Sequence, residues 1–143
     1  NHVQLFLEQH VAVCSRDLFE NRHAMRASSP LHVFDKGISF PLWRDWLAHE
    51  PNFPDLPTGP LMKFSSLELA IQAAKNSVGV AIVDRNMIEY ELEAGSLVQI
   101  SPITVAGPSG YWLEISQEQQ AKASSIQFFR WLRSVSGPTP GKS

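Results

Sequence analysis

Ser65 and Ser66 are the side chains of this 143-residue sequence best placed to hold a ligand. They follow Leu61-Met62-Lys63-Phe64 and precede an apolar helical pattern, with Glu68 three residues after Ser65. That spacing is a capping box: the serine oxygen takes an orphan amide of the first turn, and the glutamate reaches back. Free amides at a helix start also attract anions, so the pair has two readings. Either the serines cap a helix and nothing more, or their hydroxyls and the nearby amides grip a ligand carboxylate. Other reactive constellations are thin. His2, His10, His23, His32 and His49 never pair at a metal-ligand spacing and Cys14 is the only cysteine, so no metal site is expected. Ser65, His32 and Asp84 form a catalytic triad only on paper, because no Gly-x-Ser-x-Gly elbow is present. Gly79 has no glycine partner nearby for a phosphate loop. Glu89, Glu91 and Glu93 fit a solvated helix face. The expectation is a binding module rather than an enzyme, with no cofactor.

The elements that must position the serines follow from periodicity. Leu67, Ala70, Ile71, Ala74 and Val78 recur at helical spacing. Val80, Ile82 and Val83 form a β-branched run of the kind buried on both faces. Met87, Ile88 and Leu92 restart the helical period, Gly95 ends it, and Leu97, Val98 and Ile100 begin another strand. Strand, helix, strand, helix, strand predicts an α/β fold with a parallel or mixed sheet, which binds ligands at the carboxyl ends of its strands. Upstream, Leu5 and Leu7 alternate into a strand through Val13, and Ser15 caps a short helix through Phe19. Asn21 to Pro30 is polar and predicted as loop, Leu31 to Phe34 as strand, and Asp35-Lys36-Gly37 as turn. Pro41 opens a helix carrying Leu42, Trp46 and Leu47. Pro51, Pro54, Pro57 and Pro60 mark an extended surface loop. Ser101 to Ser109 returns the chain elsewhere, Tyr111 to Ile115 is a strand, and Gln117 to Val135 a broad-faced apolar helix.

Bulk properties set limits. With 43% hydrophobic residues the chain can bury a core. A formal net charge of −2 gives no basic face for nucleic acid. No apolar run approaches the roughly 18 residues of a membrane span. The single Cys14 suits a reducing compartment, as a packed thiol or as a redox group.

The same residues carry a family resemblance. Phe64-Ser65-Ser66, an alanine-rich helix, Gly79-Val80-Ala81-Ile82-Val83, an acid-rich helix and Gly95-Ser96-Leu97-Val98 resemble the effector-binding domain of LysR-type transcriptional regulators. Trp43-x-x-Trp46-Leu47, Gly110-Tyr111-Trp112-Leu113 and Phe128-Phe129-x-Trp131-Leu132 are similar to the branch that includes the glycine-cleavage and β-lactamase regulators. The resemblance runs from Glu8 to Val135. Two departures stand out: Asn76-Ser77 where a glycine is common, and Asp84 where a proline often follows the strand.

The resemblance implies a periplasmic-binding-protein-like (type II) α/β lobe with a mixed sheet, plus a remnant of a second lobe. Residues 1–136 would be the carboxy-terminal part of the effector domain. Of these, 11–100 would be one complete lobe and 101–136 the return into the other; 137–143 would be a disordered tail. A small, polar, anionic effector would lie between the lobes. Ser65, Ser66, Phe34, Asp35 and Tyr111 would contact it, while Trp43 either joins them or anchors its helix in the core. DNA would be bound only through an amino-terminal winged helix-turn-helix preceding this chain. The parent protein would be cytoplasmic, and the aromatic face of Phe128, Phe129 and Trp131 would support a homo-oligomer, dimer or tetramer. The alternative is a solute-binding module unconnected to transcription, from which the upstream sequence would discriminate.

Overall fold

The computed structural model describes residues 2–35, 38–39, 42–114 and 131. In chain order the elements are β1 (His2–Cys14), α1 (Arg16–Glu20), α2 (Arg22–Ala27), β2 (Ser29–Asp35), β3 (Ile38–Ser39), α3 (Leu42–His49) and β4 (Met62–Phe64). There follow α4 (Leu67–Lys75), β5 (Gly79–Asp84), a 3-10 turn over Arg85–Met87, α5 (Glu89–Ala94), β6 (Val98–Gln99) and β7 (Val105–Glu114). The sheet is mixed, as the strand-helix alternation predicts. Its order is β3-β2-β5-β1-β6, with β4 on β2 and β7 on β1. β5 and β4 run parallel to β2, and β1 runs antiparallel to β5.

The chain divides into two compact units. One comprises Gln9–Val105; the other comprises Asn1–Glu8 and Ala106–Ser143. In the smaller unit the described part is the start of β1, most of β7 and Trp131.

In the larger unit, strand periodicity sorts side chains to two faces. Ala12, Cys14, Val80 and Ile82 pack with Leu18, Met25, Trp43 and Trp46 of the first three helices. Val11, Val13, Ala81 and Val83 pack on the other side with Leu31, Ala74, Ile88 and Leu97. All six residues of β5 are buried, which is why its sequence is continuously apolar up to Asp84.

The helix starts follow local chemistry. Ser15 Oγ accepts the Leu18 N–H at 3.2 Å, as its predicted cap role requires. The predicted loop from Asn21 to Pro30 is instead a second helix followed at once by β2. Asn21 closes α1, its N–H donating to the Leu18 carbonyl, and opens α2, its Oδ1 accepting the Ala24 N–H. The predicted strand at Tyr111 begins earlier, at Val105. The Lys36-Gly37 turn, Pro41 and residues 137–143 lie outside the described residues. So does the predicted helix over Gln117 to Val135, apart from Trp131, which is exposed. Ser77, at a departure from the family pattern, adopts φ 64°, the left-handed conformation that favours glycine. Its hydroxyl meets that of Ser15 at 2.7 Å.

The proline-rich segment after α3 forms neither helix nor strand but is tied down. Asp55 receives Arg22 at 3.1 Å and Arg26 at 3.0 Å, and Gly59 N–H donates to the Ser28 carbonyl at 2.8 Å. Both arginines are about half exposed, so solvent screens the pairs. Asp55→Ala is expected to cost about 1 kcal/mol, read as a lowered urea midpoint. An unchanged midpoint would show that the loop is held by its backbone bonds alone.

Candidate functional site

Three parallel strands end together in the larger unit. β2 and β4 are in register through Val33↔Phe64, so the next residues along them are Phe34 and Ser65. β2 and β5 are in register through Leu31↔Ala81, which carries Asp84 to the same end. The sequence-predicted Phe34, Asp35, Ser65 and Ser66 therefore meet at the carboxyl end of this sheet, the usual ligand position of such folds. The Asp35 side chain lies outside the described residues, and Phe34 is half-buried.

The two serines differ. Ser66, rather than Ser65, is the helix cap: its backbone is extended, and its Oγ accepts the Leu69 N–H at 3.2 Å. The cap thus stands one residue later than predicted, and the capping box expected from Ser65 and Glu68 does not form. β4 ends at Phe64 and the helix begins only at Leu67, which leaves Glu68 at the second helical position, too early to reach back. Glu68 still favours the positive helix start. Ser65 is exposed, and its hydroxyl makes no hydrogen bond among the described residues. The Ala70 N–H goes to the Ser66 carbonyl, so the amides of Leu67 and Glu68 are the free donors of the first turn.

Trp43 is placed differently. It is buried in the first core, its indole N–H donates to the Leu31 carbonyl at 3.0 Å, and His32 stacks on it at 6.1 Å. That is the surrounding of a core anchor. Tyr111 lies on β7 in the smaller unit, with its side chain outside the described residues.

One further polar group stands at this end: Asp84, which the sequence marks as a departure from the family pattern but not as a ligand contact. Asp84 closes β5 and is buried. Its Oδ1 accepts N–H groups from the Gln9 backbone at 3.1 Å and from the Asn86 backbone and side chain at 3.1 and 2.9 Å. An aspartate that ends a wholly apolar strand is the signal that could have marked it.

No hydrogen bond among the described residues joins Ser65, His32 and Asp84. Burial, with Lys63 beside it, lowers the His32 pKa and favours the neutral ring. No group of His, Cys, Asp and Glu among the described residues is placed to hold a metal. No helix among them is long and apolar enough to cross a membrane. Cys14 is buried, and burial pushes its thiol from 9.0 up to about 12, against the lowering effect of Arg22. Above pH 9.0 the unfolded chain releases this proton while the folded chain keeps it, so stability is full below 9.0 and falls as pH rises toward 12. Urea midpoints should fall less steeply with alkaline pH in Cys14→Ala than in the parent; parallel curves would contradict the packed, protonated thiol.

Known proteins share this organisation. The model of the family described as LysR substrate binding domain matches residues 1–137. The HTH-type transcriptional activator AmpR of Providencia stuartii is 30% identical over 132 residues, 90% of this chain and 42% of that protein. The AmpR of Citrobacter freundii is 29% identical over 93 residues, 65% of this chain and 32% of that protein. This chain thus spans less than half the length of those relatives. Among solved structures, the effector binding domain of Citrobacter freundii AmpR superposes with a TM-score of 0.67 at 21% identity, covering 95% of this chain and 67% of that one. The effector domain of Pseudomonas aeruginosa AmpR gives 0.65 at 19%, covering 95% and 65%. The likeness of fold supports the periplasmic-binding-protein-like architecture that the resemblance implies. By the match over nearly its whole length, the chain belongs to the family of LysR substrate-binding domains.

Proposed function

We propose that this chain is the effector-sensing part of a DNA-binding transcriptional regulator. The effector is a small polar molecule whose anionic group meets Ser65 and the start of α4. The observation that carries this reading is the unengaged Ser65 hydroxyl beside the free amides of Leu67 and Glu68, level with the end of β2. A charge-assisted hydrogen bond from such a donor is worth roughly 1.5–3 kcal/mol. The domain binds and does not catalyse. DNA contact falls to a helix-turn-helix segment of the regulator, and effector occupancy alters the geometry of a cytoplasmic homo-oligomer on DNA. The curated relatives, named transcriptional activators, favour this reading over a solute-binding module unconnected to transcription.

The split roles of the serines make the test sharp. Small carboxylates, with acetate as first probe, should shift the Leu67 and Glu68 amides in a saturable NMR titration. Ser65→Ala should weaken that binding about tenfold and leave the melting temperature of the free protein unchanged. Ser66→Ala should lower stability by about 1 kcal/mol through the lost cap. If Ser65→Ala binds acetate as well as the parent does, the serines serve the helix only and the reading fails.

A further inference from the structure

Asp84 carries an acceptor that the fold leaves idle. Three N–H donors converge on Oδ1, while Oδ2 is buried with no hydrogen-bond partner among the described residues. No salt bridge among them reaches Asp84, although the residue is only 6% exposed. A buried carboxyl oxygen without a donor is costly, and a cationic donor compensates it best. The residue is the last of β5, so it stands at the sheet end that Phe34 and Ser65 also reach. The backbone bond to Gln9 and the two bonds to Asn86 fix the carboxyl plane, which leaves Oδ2 a defined direction rather than a mobile one.

Resting on the function proposed above, we propose that Asp84 Oδ2 is the subsite for a primary ammonium group, so that the effector carries both charges. The strand order sets how far apart they lie. β4 and β5 flank β2, so Ser65 and Asp84 stand two strand spacings apart, roughly 10 Å. Such a separation suits an ω-amino acid or a longer amphoteric molecule. In an α-amino acid the two charged groups are too close together to reach both positions.

Hexanoate and ε-aminohexanoate test this, differing only in the terminal ammonium. Titrated into the labelled protein, both should shift the Leu67 and Glu68 amides. Only ε-aminohexanoate should also shift the Asn86 and Gln9 amides, and it should bind about tenfold more tightly than hexanoate. Asp84→Asn keeps the size and one carbonyl acceptor but turns an N–H₂ toward the ammonium, so it should erase the preference while hexanoate binds as before. Equal affinity of the parent for the two probes would overturn the subsite while leaving the carboxylate reading intact. That comparison needs no variant, so it decides even if Asp84→Asn fails to fold. If neither probe moves the Glu68 amide, both the subsite and the reading beneath it fail.

Discussion

Trp46→Ala is expected to cost about 3–5 kcal/mol of folding stability, the range for emptying a buried aromatic site. Trp46 is fully buried and meets Trp43 edge-on at 6.2 Å and Phe53 at 5.8 Å. It joins α3 to the proline-rich loop on one side and to the sheet face of Ile82 on the other. Three aromatic rings locked at steep angles collapse poorly around a void, so the cavity cost should approach its full value. The indole N–H has no partner among the described residues, so truncation forfeits packing but no hydrogen bond. For the same reason Trp46→Phe should be far milder than alanine, since it removes an unsatisfied donor along with part of the ring. Domains are stable by only about 5–15 kcal/mol, so the alanine variant should show a large drop in its urea midpoint. A loss no greater for alanine than for phenylalanine would mean that this site is not the packed centre described.

Gly79→Ala should be comparably damaging by the opposite route, overpacking. A methyl group built on Gly79 lies 1.8 Å from the Ser29 carbonyl oxygen and 2.8 Å from its carbon. Both are backbone atoms, and no side-chain rotation relieves the clash. Ser29↔Gly79 is the first rung of the β2–β5 ladder, and the Ser29 N–H also donates to the Val78 carbonyl at 3.2 Å. Separating the strands there would strain the pairing of Pro30↔Val80 and Leu31↔Ala81 next to it. We expect a loss of about 3 kcal/mol or more, at the upper end for overpacked cores. Thermal melting should show it, and hydrogen exchange should localise it to β2 and β5. A variant that melts with the parent would show that the two strands are not held at this distance.

Much of the scaffold follows from local sequence rules. The continuous apolar run Val80 to Val83 identifies the central strand, Ser15 marks the cap of α1, and Gly95 at φ 81° the end of α5. The elements missed are those that long-range contacts hold. α2 buries only Met25 fully, half-buries Ala24 against the same core and exposes its other four residues, so its composition imitates a loop. What steadies it is Asp55, about thirty positions away, which no local pattern shows. At the site, two adjacent serines were equally good caps by type, and only the observed helix start separates the cap, Ser66, from the free hydroxyl, Ser65. Phe34 could be placed near them because parallel strands end together, but whether Trp43 belongs with them could not be read from sequence. The carbonyl of Leu31 that binds its indole is a contact across the fold.

The position of β5 bears on how the chain folds in time. Its neighbours in the sheet, β2 and β1, lie far upstream, and the ladder to β1 pairs His10 with Asp84. Nothing in the middle of the sheet can close until the chain has been made through Asp84. The entropy of two long loops must be lost before those pairings are rewarded. Folding should therefore be slow for a chain of this size. Until β5 inserts, the apolar strand segment Val11–Cys14 waits without the partner that will cover one of its edges, and a nascent or refolding chain is most prone to associate in that interval.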